Sequence, residues 1–311
     1  MREVSLLRML SQDPHVVRLL HLKQGFNKEG QTIFYLVFEY MDTDLKKFIR
    51  GHRSNREKIP AATVKILMYQ LCKGVAFVHG RGVLHRDLKP RNLLMDCKTM
   101  ALKIADLSLS RAIIFRLPGQ TCTHEVGLEP HGWYRTPEIL LGATHYYMPA
   151  DIWSVGCIFA ELVTSQPLFA GGSAFQQLLH IFKLLGTPNE QVWPGVGKLP
   201  NWHEYPQWKP TKLPTLVPGL NDDGYDLLEH LAYKRKLHAV VAEKNLCYSI
   251  FVGGFHVLTC VGLLQKMLEY EPEKRITTHK ALEHPYFNDV ISGGAHTVNP
   301  RWDQLLDYTS S

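Results

Sequence analysis

Apolar residues stand at Val4, Leu6, Leu7 and Leu10, a stripe at helical spacing with no capping residue ahead of it, so the helix is expected to begin before the chain does. Val16 to Leu22 and Thr32 to Phe38 are rich in β-formers, and the turn-forming run Asn27-Lys28-Glu29-Gly30 between them predicts a hairpin. From Pro60 the period changes. Pro60 sits at a first turn, Val64, Leu67, Met68, Leu71, Val75 and Val78 follow on one face, and Gly80 closes a long helix. Ala150 to Val163 is apolar on nearly every face, which predicts a helix buried on all sides. Gln176 to Leu185 is amphipathic and is stopped by Gly186-Thr187-Pro188. The Pro- and Trp-rich stretch 188–218 is expected as an ordered surface loop, and the residues from Ser292 onward as a frayed tail. The order is a short mixed α/β piece followed by a large helical one.

A chain of 311 residues with 45% hydrophobic and 21% charged residues has enough apolar surface for at least one sizeable core, here two packed lobes. The net charge of +6 is modest, and the basic residues are scattered in short groups such as Lys46-Lys47 and Lys234-Arg235-Lys236. That distribution offers no basic stripe for nucleic acid. The cysteines at 72, 97, 122, 157, 247 and 260 form no CxxC and no metal-like spacing, so they read as reduced intracellular thiols. MREVSLLRML at the start carries neither a signal-peptide pattern nor a myristoylation motif, and the nucleus and/or cytoplasm is the expected location. Leu246 to Leu264 is apolar over the length of a membrane helix. Its Gly253-Gly254 pair and its many β-branched and aromatic residues favour a buried or misplaced segment instead.

Candidate chemistry concentrates in Val83 to Met95, VLHRDLKPRNLLM, which sets Asp87, Lys89 and Asn92 on one short loop between the long helix and an apolar run. Three polar side chains can then converge on one point. A carboxylate at Asp87 can orient a Ser or Thr hydroxyl and accept its proton. Lys89 can neutralise phosphoryl oxygens, and Asn92 with Asp106 supplies hard oxygen donors of the kind Mg²⁺ takes. Asp106 ends the strand-like run Ala101 to Ala105.

This loop resembles the catalytic loop of protein kinases, themselves a standard worked case for phosphoryl transfer. Thr136-Pro137-Glu138 is similar to the family's Ala-Pro-Glu, with Arg275 in EPEKRI as the implied buried partner of Glu138 and Asp151 as the implied holder of the catalytic-loop backbone. REVSLL at 2–7, YLVFEYMDTDLKKFI at 35–49, WYRTPEILLG at 133–142, DIWSVGCIFAEL at 151–162 and LGTPNE at 185–190 resemble a cyclin-dependent kinase, most similar to the plant B-type members. The resemblance implies an α+β protein-kinase-like fold, with a truncated small lobe over residues 1–40 (part of helix C and the remaining strands). A mainly α-helical large lobe over 41–291 and a flexible tail over 292–311 would follow. It also implies ATP and Mg²⁺, a cyclin partner, and protein substrates with Ser or Thr before Pro. Phe38 then takes the gatekeeper position, Glu39 and Met41 offer backbone hydrogen bonds to adenine, Asp44 faces the ribose and Glu3 is the helix-C glutamate. Thr123 becomes the site for an activating kinase, gripped by Arg2, Arg86 and Arg111; each charge-assisted bond from phosphate to Arg is worth about 1.5–3 kcal/mol.

The pattern also departs from the family. Glu3 is the third residue, no GxGxxG occurs, and the strand lysine that would pair with Glu3 has no counterpart. Losing one preorganised donor in such a site lowers the rate by roughly 10²–10³. The remaining strands are expected to expose an edge and an apolar face. A second reading therefore stands beside the enzyme, a non-catalytic pseudokinase-like binding fragment. Asp106-Leu107-Ser108 carries Ser where the family has Gly, and a positive φ there would strain it. VGLEPHG between Glu125 and Trp133 lacks the family's threonine and alters the substrate-proline pocket expected near Val126 and Arg135. GYDLL at 224–228 would join LLQKMLEYEPEKRI at 263–276 if an insertion at about 229–262 were removed.

Overall fold

A computed structural model describes residues 2–112, 132–144, 147–210 and 259–292. In chain order these form α1 (Arg2–Leu10), β1 (Leu19–Phe26), β2 (Thr32–Phe38), β3 (Thr43–Asp44), α2 (Leu45–Ser54) and α3 (Ala61–Gly80). After them come β4 (Val83–Leu84), a 3-10 turn at Pro90–Asn92, β5 (Leu93–Met95), β6 (Leu102–Ile104), β7 (Arg111–Ala112), α4 (Pro137–Leu140), α5 (Met148–Thr164) and α6 (Ala174–Leu185). Residues 259–267, Thr278–Leu282 and Asn288–Ser292 are helical as well. Small antiparallel sheets followed by packed helices make an α+β, kinase-like fold.

The stripe of α1 buries Leu6, Leu7 and Leu10 in a small apolar cluster with Val16, Val78, Val83 and Leu107. β1 and β2 pair antiparallel from Leu19↔Phe38 to Phe26↔Thr32. Their turn closes because Asn27 Oδ1 accepts from the backbone N–H of Glu29 (3.0 Å) and Gln31 (2.8 Å) while Gly30 takes φ +76°. The hairpin begins at Leu19 and not at Val16. Val16 and Val17 are both buried, and a strand with one solvated face can bury only alternate residues. They leave the hairpin instead: Val16 bridges in parallel to Ile104, and the Val17 N–H donates to Ile104 O at 2.9 Å. The outer hairpin leaves Leu20, Phe26, Phe34 and Tyr35 exposed in a sheet of two strands.

The main core surrounds α3 and α5. Residues Ala150 to Leu162 of α5 are all buried, so every face of that helix is covered. Fully burying each Leu, Ile or Phe contributes about 1.5–3 kcal/mol, which makes this helix the keel of the helical part. α3 is long and apolar enough to cross a membrane, yet its stripe from Val64 to Val78 packs inside the protein. Ser173 caps α6 by accepting from the Gln176 N–H at 3.2 Å.

Residues 188–210 are more than a surface loop. Trp193, Val196 and Tyr205 are buried, Trp193 stacking on Tyr270 (centroids 5.9 Å apart) and Tyr205 meeting Phe182 edge-on at 4.9 Å. Aromatic rings bring about 150–250 Å² each, so an irregular segment can still supply core. Residues 211–218 lie outside the described residues.

The junction expected near residue 262 falls inside the helix 259–267, whose Cys260, Val261, Leu263 and Leu264 are buried in the core. Most of the apolar run 246–264 and of the expected insertion lies outside the described residues. Cys72, Cys97, Cys157 and Cys260 are unpaired, and burial pushes the Cys72 thiol up to about 12, which suits packing and not reactivity. At the far end Lys65 of α3 reaches Asp289 at 2.8 and 2.7 Å, tying Asn288–Ser292 to the body.

Candidate active site

The catalytic-type loop hangs from Asp151, a fully buried carboxylate in the first turn of α5. Its Oδ1 accepts the Arg86 N–H at 2.8 Å, and its Oδ2 accepts the His85 N–H at 2.9 Å and faces His79 Nε2 at 2.9 Å. Burial alone would raise its pKa. The His79 hydrogen bond and charge and the Arg86 N–H outweigh that, so the carboxyl is held below the usual range. Arg86 takes φ +73°, a left-handed conformation that a non-glycine residue keeps only when its surroundings impose it. His85 adds a second brace: its Nδ1 accepts the Asp87 N–H at 3.3 Å and its Nε2 lies 3.0 Å from Ala105 O. Those two partners require the neutral ring with hydrogen on Nε2.

With the loop fixed, Asp87, Lys89 and Asn92 converge. Asp87 Oδ2 lies 2.8 Å from Lys89 Nζ and accepts from Asn92 Nδ2 at 3.0 Å. The same Asn92 amide donates to Asp87 O at 2.9 Å, and the 3-10 turn Pro90–Asn92 supplies the curvature that brings the two residues together. Asn92 O in turn accepts the Ala105 N–H at 2.8 Å, which places the end of β6, and Asp106 beyond it, beside the loop. Asp106 is exposed and accepts from Ser108 Oγ at 2.6 Å. The left-handed backbone expected at Ser108 falls instead on Asp106 itself, at φ +62°, a residue type that tolerates it. Leu107 between them is buried in the α1 cluster, so the helix carrying Glu3 and the turn carrying Asp106 share one small core.

Across from this loop, Phe38 ends β2, partly buried against that small core. Glu39 points its carboxylate at Lys103 Nζ, 2.8 and 2.7 Å away. Met41 follows in the irregular segment between β2 and β3, half-buried. Asp44 caps α2: its Oδ1 accepts the Lys47 N–H at 2.9 Å, which commits one oxygen to the helix and leaves a half-buried carboxylate at the edge.

Residues 1–287 match the family described as protein kinase domain. The chain is 67% identical over 290 residues to cyclin-dependent kinase B2-1 of Oryza sativa subsp. japonica, covering 93% of this chain and 76% of that protein. It is 59% identical to cyclin-dependent kinase B2-2 of Arabidopsis thaliana, covering 93% and 79%. To cell division control protein 2 homolog D of Antirrhinum majus it is 56% identical, covering 94% and 81%. The chain belongs to the plant B-type cyclin-dependent kinases.

In this kinase Glu138 and Arg275 form a buried pair, Nη1 to Oε1 at 2.9 Å and Nη2 to Oε2 at 3.2 Å. Arg275 also donates to Pro149 O (2.8 Å), Glu269 O (2.9 Å) and Tyr270 O (3.2 Å), and the Thr136 hydroxyl donates to Glu138. Nothing charged is left without a partner there, so α4 is pinned to the body of the large lobe. Glu3 and Arg2 lie on α1 and Arg111 on β7, paired with Leu84, which brings the Arg111 backbone beside the loop that carries Arg86. Thr123, Glu125 and Val126 lie outside the described residues. The kinase residues missed in the sequence reading are His79, His85 and Lys103. His85, immediately before Arg86-Asp87, was within reach of the loop motif, whereas Lys103 had no local signal.

Proposed function

We propose that this kinase binds Mg-ATP and transfers the γ-phosphate to Ser or Thr followed by Pro in protein substrates, under control of a cyclin and of an activating kinase acting on Thr123, in the nucleus and/or cytoplasm. The observation that carries the reading is the convergence of Lys89 Nζ and Asn92 Nδ2 on one oxygen of Asp87. A carboxylate held in this way presents a fixed acceptor to an incoming hydroxyl, whose proton moves to Asp87 as its oxygen bonds to the γ-phosphorus and the bond from that phosphorus to the departing ADP breaks. Lys89 stays within reach of the charge that gathers on the transferring group.

The donor set fits magnesium. Asn92 spends its amide nitrogen on Asp87, which turns its oxygen the other way, and Asp106 offers an exposed carboxylate. Among the described residues no cluster of three or more His, Cys, Asp or Glu competes as a metal site, and two protein oxygens suit an ion that keeps waters and phosphate oxygens as its other ligands. When bound, the ion would screen the phosphate charges. The backbone of residues 39–41 would receive the adenine, Phe38 would close the back of that site, and Asp44, whose Oδ2 lies 3.8 Å from Lys47 Nζ, would meet the ribose.

A second reading is a pseudokinase-like module that engages partners without turnover. A thermal-shift titration with ADP and Mg²⁺ separates the two, because a ligand that binds only the folded state raises the midpoint. A rise that requires both ADP and the metal supports the enzyme, and no rise at millimolar nucleotide supports the module.

A further inference from the structure

Glu39 and Lys103 are 64 residues apart in sequence, and their contact is placed where it can act on the site. Lys103 is the middle residue of β6. Leu102 and Ile104 on either side are buried in the core, so strand alternation turns Lys103 to the opposite face, the one it shares with Ala105. There its ammonium meets both oxygens of Glu39, at 2.8 and 2.7 Å. Glu39 Oε1 also accepts the Arg18 N–H at 2.7 Å, while the Glu39 N–H donates to Arg18 O at 3.0 Å. The segment before β1 grips β6 a second time, through Ile104 N–H to His15 O at 2.8 Å and Val17 N–H to Ile104 O at 2.9 Å. Residues 15–18, Glu39 and β6 thus form a closed ring of polar contacts. One side of that ring is the start of the segment expected to receive adenine, and the other is the strand that leads into Asp106.

Both side chains are largely covered, with 19% exposure for Lys103 and 24% for Glu39, so water screens the pair less than it would a surface pair. The contact joins two segments that the backbone ring already brings together, which places it to set their separation. We propose that the Glu39–Lys103 pair is a positioning latch that fixes the separation between the backbone of residues 39–41 and the Asp106 carboxylate, keeping base and phosphates of the nucleotide in register. The latch rests on the nucleotide-binding reading given above.

The test compares Lys103→Met, Glu39→Gln, the double variant and Lys103→Arg, with MgADP and adenosine as the probes in calorimetric titrations. Gln at 39 still accepts from the Arg18 N–H, so only the charged contact is removed. Each single variant should weaken MgADP about five-fold, the double should be no weaker than either single, and Lys103→Arg should restore the wild-type value. Adenosine, which engages only one end of the site, should bind all variants within about two-fold of wild type. Additive losses, equal losses for the two ligands, or unchanged MgADP affinity would overturn the latch while leaving nucleotide binding intact. A wild-type protein that binds neither ligand would remove the nucleotide reading and the latch with it.

Discussion

Replacing Asp151 by Asn is the sharpest way to ask what holds the catalytic loop. The carboxylate accepts three donors at full burial: the N–H groups of Arg86 and His85 on different oxygens, and His79 Nε2. Asparagine has one acceptor oxygen, so in either orientation its amide group faces a donor. With the oxygen kept toward His85 and His79, the Arg86 N–H loses its partner. A buried donor left unsatisfied costs about 1–3 kcal/mol, and turning the remaining charge-assisted bonds into neutral ones adds roughly 1 kcal/mol, so the loss should be about 2–4 kcal/mol. Arg86 at φ +73° then has less to hold it in a conformation that disfavours L-residues by about 1–2 kcal/mol, and Asp87 next to it shifts. Urea unfolding followed by tryptophan fluorescence reads the stability, and hydrogen exchange at the His85 and Arg86 amides reads the loop. The pH dependence has a definite sign. Because the folded pKa is depressed, the contribution of Asp151 is present above its ordinary value of 3.8 and is lost as pH falls through the folded value. The acid limb of the stability curve should flatten in the variant. A stability change under about 0.5 kcal/mol, or unchanged amide protection, would refute this reasoning.

Arg275→Met leaves Glu138 buried without its guanidinium and strips the carbonyls of Pro149, Glu269 and Tyr270 of a donor; denaturant titration should show a loss of about 3–5 kcal/mol, and a midpoint near wild type contradicts the pairing. Glu161 is pushed up by burial, with the Tyr134 hydroxyl at 2.5 Å only partly opposing it. A carboxyl with a raised folded pKa contributes stability that fades as pH rises from its ordinary 4.5 through the folded value. Glu161→Gln should abolish that decline in a pH series of melting temperatures, and an identical slope in both proteins would count against it. Ser108→Gly removes the 2.6 Å donor that competes with a metal for Asp106 Oδ1, so calorimetry should show Mg²⁺-dependent ADP affinity rising about two- to five-fold, whereas a fall would contradict that competition.

The helical periods read well because they are local. The span from Pro60 to Gly80 marked α3 and the all-apolar run at 150–163 marked α5, each within a residue or two of the observed bounds. The catalytic loop was legible for a different reason: Asp87, Lys89 and Asn92 lie within six positions of one another, so spacing alone constrains their geometry. The start of the hairpin misled, because Val16 and Val17 have strand character in either role and only their parallel contact with Ile104 decides where they go. Trp193 and Tyr205 looked like loop residues since their burial depends on Tyr270 and Phe182, which arrive from elsewhere in the chain. The Glu39–Lys103 pair is wholly non-local and left no pattern to read. The positive φ expected at Ser108 falls on Asp106, a distinction that backbone torsions alone can make.

Radiolabelled phosphate transfer from ATP to a Ser-Pro peptide, by the purified kinase with a cyclin, measures the central claim directly when wild type is set beside Asp87→Asn. Transfer that needs Mg²⁺ and falls by about 10²–10⁴ in the variant is the predicted result. Equal transfer by both proteins, or none by wild type, contradicts the assignment of Asp87 as the base of a working phosphotransfer site.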